Sequence, residues 1–282
     1  MTEGTPAHYL LGHDARELRR LDLQGALYRD VTLRALHDAG VRDGMRVLDI
    51  GCGSGDVSCL VAEVVGPTGR VLGVDRGEKA VGRARERAAA ERLSNVDFRV
   101  SEIGDLAQRR DEGSFDALVG RFVLMHQADP ADVLAAAARH VKPGGVVVMI
   151  ESWMDLARAR HSEPHSTLYD RIVHFKCEVV RSAGADVDAG GRLRHHFQRA
   201  GLPAPVCRLD ARVEGGPDSA YYEYVEESVR SMLPEARRAG IAGFETEEEV
   251  SHVATRLRDE MVRSGGVLVV WPVVYAFSRV PG

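Results

Sequence analysis

The chain has 282 residues, 44% hydrophobic and 28% charged, with 37 Lys and Arg against 42 Asp and Glu for a formal net charge of −5. That length supplies one large α/β domain or two small ones and excludes a disordered tail protein. An isoelectric point near 6.1 speaks against a nucleic-acid surface, because domains that bind nucleic acid through its phosphates usually exceed about pI 9. The four cysteines, Cys52, Cys59, Cys177 and Cys207, show neither CxxC pairing nor the density of a disulfide scaffold, which fits a reducing compartment. The first residues lack a signal-peptide h-region, and no uncharged apolar stretch approaches the roughly 18 residues of a membrane span. The expectation is a cytoplasmic chain with no nucleic-acid or membrane partner. Lysine occurs only at 79, 142 and 176, a skew toward arginine that suggests a GC-rich bacterial genome.

Residues 14–39 carry Leu18, Leu21, Leu27, Val31 and Leu36 at near-helical spacing with Asp14 as a cap, which predicts an amphipathic helix. Residues 46–52 are a short apolar run ending in glycines, and 56–65 are helical in pattern, so strand, glycine turn and helix open a βαβ unit. The alternation continues with a strand at 70–75, a helix at 78–93, a strand at 96–103 and a strand at 115–123. Pro130 opens a helix to 141 with Asp129 as its cap. Residues 142–145 (KPGG) read as a turn, and 146–150 as a strand buried on both faces. Strands joined by helices in this way describe a doubly wound parallel sheet. Beyond Glu151 the pattern predicts helices at about 167–183 and 188–200, a sixth strand at 206–213 and two helices within 218–264. A closing strand at 267–279 is interrupted by Pro272, which favours an edge or a bulge.

The glycine turn, Asp49-Ile50-Gly51-Cys52-Gly53-Ser54-Gly55, lets a ligand approach backbone atoms closely. Its GxGxG spacing differs from the GxGxxG of dinucleotide binders. What makes it specific is Asp75 at the end of the next strand, placed to chelate a ribose diol.

VLDIGCGSGD (47–56), VLGVD (71–75), FDALVGRFVLMH (115–126) and VKPGGVVVMIE (141–151) together resemble the class I S-adenosylmethionine-dependent methyltransferases. The resemblance covers about residues 45–155 and implies an α/β, Rossmann-like, doubly wound sheet of seven strands, mostly parallel with an antiparallel C-terminal strand. It implies one methyltransferase domain: an N-terminal helical lid (1–42), a cofactor-binding core (43–152), a cap with the sixth strand (153–266) and the closing strand (267–282). The implied cofactor is S-adenosylmethionine, with S-adenosylhomocysteine as product. Gly51, Gly53 and Gly55 would lie beneath its methionine part, with Asp49 in support. Asp75 would bind the ribose hydroxyls, with Arg76 beside the adenine. Aligned on Phe98, Glu102 takes the acid that accepts from the adenine amino group and Ile103 the apolar residue against the ring, with Asp105 a rival for the acid. The backbone of Gly120 and Arg121 would face the methionine amine. Residues 9–13 (YLLGH) and 19–24 (RRLDLQ) resemble a subset acting on small natural products, in which this segment folds over the cofactor. Tyr9 and Gln24 then become candidate lid contacts, the alternative being a helix that only packs on the sheet.

Methyl transfer is an in-line displacement from a sulfonium, so the protein aligns the acceptor, excludes water and, for a hydroxyl or carbon acid, removes a proton. A near-neutral base favours histidine. Of eleven histidines, His126 lies just past strand four, and Glu151 ends strand five. The run from His126 and Asp129 through KPGG to Glu151 also resembles plant-type O-methyltransferases, which implies His126 as general base and Glu151 as its partner. Structural capping or packing is the competing use of both. His161 with His165, and His195 with His196, lack the cysteines or carboxylates of a metal set, so no metal is expected. Trp153, Tyr169, His174, Phe175, Tyr221, Tyr222 and Tyr224 are candidates either for an acceptor pocket or for the core of the cap. The sequence contains neither the Pro-Pro-Tyr/Phe motif of adenine or glutamine amino methylation after strand four nor the Pro-Cys of cytosine methylases. A small organic acceptor, methylated at O, N or C in bacterial specialised metabolism, is the expected partner, and a homodimer is compatible with the sequence. Two alternatives stay open: a non-methylating enzyme that keeps the cofactor, such as a pericyclic catalyst, and a cofactor-sensing regulator.

Overall fold

Strands covered on both faces need continuous apolar runs, and the computed structural model places those runs in the middle of a parallel sheet. It describes residues 15–105, 114–156 and 161–282, with side chains from Arg19 onward; Tyr9 lies outside the described residues. In chain order the elements are α1 (Ala15–Ala39), β1 (Arg46–Ile50), α2 (Asp56–Val65), β2 (Arg70–Asp75), α3 (Glu78–Ala90), β3 (Val96–Val100) and β4 (Phe115–Arg121). A 3-10 turn (Leu124–His126), α4 (Pro130–Ala138), β5 (Val141–Ser152), β6 (Ser162–Glu163), α5 (Thr167–Ser182), α6 (Ala189–Arg199), β7 (Val206–Asp210) and β8 (Val213–Gly215) follow. The chain ends with α7 (Tyr221–Ala239), α8 (Glu247–Val250), α9 (Val253–Ser264), β9 (Val267–Val269) and β10 (Val273–Arg279).

Two compact units form. One comprises Tyr28–Glu151, Ala189–Leu209 and Val274–Gly282 and is built on a seven-stranded sheet of order β3-β2-β1-β4-β5-β10-β7. The sheet is mostly parallel, with one antiparallel strand at its C-terminal side, as the resemblance implies. The apolar residues of β1, β4 and β5, including Leu48, Ile50, Leu118, Val119, Val148 and Met149, are fully buried and form its centre. Parallel register sets Ile50 opposite Val74 and Gly120, and Arg121 opposite Ile150. The carboxyl ends of β1, β2, β4 and β5 therefore finish side by side, the edge at which open α/β sheets bind ligands.

The other unit comprises the chain up to Leu27, Ser152–Asp188 and Asp210–Val273. Its helices α5, α7 and α9 bury Tyr169, Phe175, Val179, Tyr221, Val225, Leu257 and Met261. A three-stranded antiparallel sheet of order β6-β9-β8 completes it, with Leu268 opposite both Ser162 and Glu214. Caps follow the local sequence: Ser166 accepts from the Tyr169 amide at the start of α5, and Thr246 with Glu249 makes a capping box at α8.

Several elements differ from the sequence reading. The KPGG stretch is not a separate turn but lies inside β5, where the pairing with β4 shifts register between Phe115 and Ala117; turn residues here make an irregularity in a strand. The expected sixth strand divides, its first half joining the large sheet as β7 and its end the small sheet as β8. The closing strand divides in the same way around Pro272 into β9 and β10, because proline cannot donate to a ladder. The acidic run expected within the second of two helices forms its own turn, α8, before α9. β4 stops at Arg121 because Phe122 adopts a left-handed φ of 57°. Asp129 caps α4 through the amides of Ala131 and Asp132, with Pro130 in its first turn, as expected. Among the described residues no helix is long and apolar enough to cross a membrane. Cys52, Cys59 and Cys177 are buried free thiols and Cys207 is an exposed one.

Gly55 shows how tightly the turn after β1 is specified. It has φ +82°, and a Cβ there would stand 2.8 Å from the Ala84 Cβ and 3.1 Å from its Cα. Gly55→Ala is expected to destabilise the protein by about 1–3 kcal/mol, from left-handed strain and overpacking together. Urea unfolding measures it, and an unchanged midpoint would contradict this role.

Candidate active site

The turn between β1 and α2 takes its shape from three left-handed glycines, Gly51 at φ +63°, Gly53 at +52° and Gly55 at +82°. Gly51 and Gly55 are also demanded by packing, against Val123 and against Ala84 with Phe98, whereas nothing lies within 4 Å of where a Gly53 Cβ would project. The Gly53 amide donates to Asp75 Oδ2 at 3.0 Å and the Gly77 amide to Asp75 Oδ1 at 2.8 Å. Asp75 is thus locked at the end of β2, half-buried, with one further lone pair on each oxygen.

Behind the turn, Asp49 is buried and accepts from the Ser58 hydroxyl. Burial pushes its carboxyl up to about 7, partly opposed by the Ser58 hydrogen bond. Arg121 turns its buried side chain to Asp56, in the first turn of α2, and donates to Thr32 Oγ1 at 3.0 Å. Asp56 also suits the positive end of the helix. The space beside Gly120 is filled: a Cβ there would stand 2.6 Å from Met149 Cε and 3.1 Å from Ile50 Cγ1. Glycine is required at 120 by strand packing. Past β3 the Ser101 amide donates to the Asp75 carbonyl at 2.9 Å, which leads the chain along the sheet edge to Glu102 and Asp105, both exposed, and to half-buried Ile103. Arg76 is exposed beside Asp75.

His126 ends the 3-10 turn after β4 and is half-buried. Burial, then the charge of Arg76, lowers its pKa from 6.5 to about 4, so the imidazole is neutral near pH 7. Glu151, with 0% of its surface exposed, accepts through Oε1 from the amides of Val123 at 2.9 Å and Leu124 at 2.7 Å, and through Oε2 from Met125 at 3.4 Å. Glu151 thus grips the backbone that carries the imidazole: a buried carboxylate takes strong donors in reach, and a helical start offers amides without intrahelical partners.

Among the sequence candidates, Asp49, Gly51, Gly53, Gly55, Asp75, Arg76, Glu102, Ile103, Gly120, Arg121, His126 and Glu151 belong to the sheet unit. Gln24 belongs to the other, where it accepts from Arg20 Nη1 at 2.8 Å. Thr32, Asp56, Ser58 and the strained Phe122 escaped the sequence reading. Asp56 carried a signal, an acid opening a helix directly after a glycine turn, whereas the hydrogen bonds of Thr32 and Ser58 exist only in the folded chain. His161 and His165 both face Asp170. Among the described residues no group of three His, Cys, Asp or Glu is placed to hold a metal.

The open space at Gly53 and the free lone pairs of Asp75 fit a nucleoside whose ribose hydroxyls donate to the acid. A family model described as a methyltransferase domain matches residues 41–201. The chain belongs to this family, and its fold is that of the class I S-adenosylmethionine-dependent methyltransferases. It is 38% identical over 156 residues to an uncharacterized 37.1 kDa protein of transposon TN4556 from Streptomyces fradiae, a match covering 55% of this chain and 43% of that one. It is 39% identical over 132 residues to an arsenite methyltransferase of Aquipseudomonas alcaligenes, covering 45% and 38%. The chain spans less than half the length of these curated relatives. In fold it is similar to phosphoethanolamine N-methyltransferase 2 of Haemonchus contortus in complex with S-adenosyl-L-methionine, at 18% identity and a TM-score of 0.51, over 90% of this chain and 53% of that one.

Two outcomes are expected. Glu151→Ala leaves the buried amides of 123–125 without their acceptor and should cost about 3 kcal/mol or more in urea unfolding, and Glu151→Gln, which keeps one carbonyl oxygen, about half as much. Equal, small effects would show that the carboxylate does not hold the turn. In a histidine-detected NMR titration, assigned with His126→Asn, His126 should stay neutral until the pH approaches 4. Between pH 6.5 and 4 the unfolded chain binds a proton that the folded chain refuses, so His126 makes acidification through that window destabilising. An inflection near 6.5 would refute its burial.

Proposed function

We propose that the chain binds S-adenosylmethionine over the glycine turn and transfers its methyl group to a small organic acceptor. The observation that carries this reading is the hydrogen bond from the Gly53 amide to Asp75, which joins an open glycine turn to an acid at the end of the neighbouring strand. Bound there, the cofactor supplies a methyl activated by its sulfonium, so the protein has little covalent chemistry left to perform. Asp75 receives the ribose hydroxyls on its remaining lone pairs. Asp56 and Arg121 offset each other, which leaves the carboxyl groups of Asp75 and, in part, Asp49 beside the turn, so the local field suits a ligand carrying sulfonium and ammonium charges. Glu102, or its rival Asp105, and Ile103 serve the adenine with Arg76, and Tyr9 and Gln24 remain the lid candidates.

Neutral His126 can accept a hydrogen bond from the acceptor, but a base with a pKa near 4 is poorly matched to removing a proton from a weakly acidic hydroxyl. That favours acceptors already deprotonated at neutral pH or nucleophilic without a base. The arsenite methyltransferase relative supports a small acceptor, and the N-terminal resemblance supports bacterial specialised metabolism.

Calorimetry with S-adenosylhomocysteine tests the reading. Binding by the wild-type protein is expected, with Asp75→Ala weakening it about 10- to 100-fold, the effect of losing hydrogen bonds to a charged group. No binding by the wild type, or equal binding by the variant, would sink it.

A further inference from the structure

Lys176, on α5, is 3% exposed. Its ammonium lies 4.1 Å from the ring centroid of Trp271 and 5.2 Å from that of Tyr224. No carboxylate, carbonyl or hydroxyl of the described residues accepts a hydrogen bond from it. Aromatic faces attract a cation, but they leave its three N–H donors without acceptors, and a buried ammonium without an acceptor is costly. The nearby hydroxyls are spoken for: those of Tyr169 and Tyr221 bond to each other, and Tyr169 donates to the Val269 carbonyl at 2.9 Å. Tyr221 stacks on Tyr224 with centroids 6.0 Å apart, which fixes that wall of the cage.

Burial and then the charge of Arg20 lower the Lys176 pKa to about 7. An anion entering beside the Lys176 ammonium would give its N–H groups an acceptor and favour the charged form. Trp271 is the half-buried wall.

We propose that Lys176, with Trp271 and Tyr224 as walls, forms a binding site for a small organic anion that presents a carboxylate or phenolate oxygen. Every residue of the site belongs to the unit containing α5 and α7. The proposal does not depend on the glycine turn.

Calorimetric titration of the full chain with benzoate, 4-nitrophenolate and uncharged benzamide tests it. At least one of the two anions is expected to bind at least about tenfold more tightly than benzamide, benzoate identifying a carboxylate site and 4-nitrophenolate a phenolate site. Lys176→Met, which removes a buried unmatched charge and so should not lower the melting temperature, is expected to weaken the anion at least about tenfold and leave benzamide unchanged. Lys176→Arg should keep most of the anion affinity. Failure of both anions to bind the wild type, or equal anion binding by wild type and Lys176→Met, overturns the site. S-adenosylhomocysteine titrated into the same wild-type protein reads the proposed function separately. Loss of one binding event with retention of the other tells the two proposals apart.

Discussion

A carboxylate with no contact to water has to be answered by donors, and the way Glu151 is answered organises the sheet edge. It stands at the end of β5 and gathers the amides of Val123, Leu124 and Met125, so the chain leaving β4 can only turn where those amides converge. Val123 then lies against Gly51, which ties the turn after β4 to the turn after β1. Phe122, forced to a left-handed φ just before this grip, is the strained point that the buried hydrogen bonds sustain. His126 is presented at the end of the same turn. A residue far from the glycine loop in sequence thus sets the position of His126.

The same logic separates positioning charges from waiting ones. Arg121 is closed by Asp56 and Thr32, and Asp49 by Ser58, and each of these arrangements stiffens the wall behind the glycine turn. Asp75 is half closed, its two oxygens steadied by Gly53 and Gly77 while further lone pairs stay free. Lys176 is open altogether. A protein that matches its buried charges so consistently in one place and leaves one unmatched in another marks the second as ligand-facing, because marginal folding stability does not readily support an unanswered charge.

Much of this architecture is legible from residue order. Short apolar runs followed by glycine or acid announced β1 to β5, and the Asp129-Pro130 pair announced the start of α4. Those signals are local, so the chain carries them without knowledge of its neighbours. What the sequence concealed was non-local. The runs 206–213 and 267–279 look continuous, yet each is shared between two sheets, because a strand's partner depends on pairing that no local pattern encodes. At the site, the glycines and Asp75 were recognisable by type and spacing. The three backbone amides that Glu151 accepts from were not, since amides have no letter of their own.

The chain passes between the two units after Leu27, Glu151, Asp188, Leu209 and Val273, so neither unit is a contiguous piece of the sequence. The order of synthesis therefore matters. β10 stands between β5 and β7, and until residues 273–279 have been made β7 has no neighbour in the sheet and one edge of β5 stays unpaired. From the synthesis of β5 to that of β10 the nascent chain carries an open sheet edge, and the β5–β10 pairing joins segments more than a hundred residues apart, the kind of contact that forms slowly and leaves the intermediate open to association.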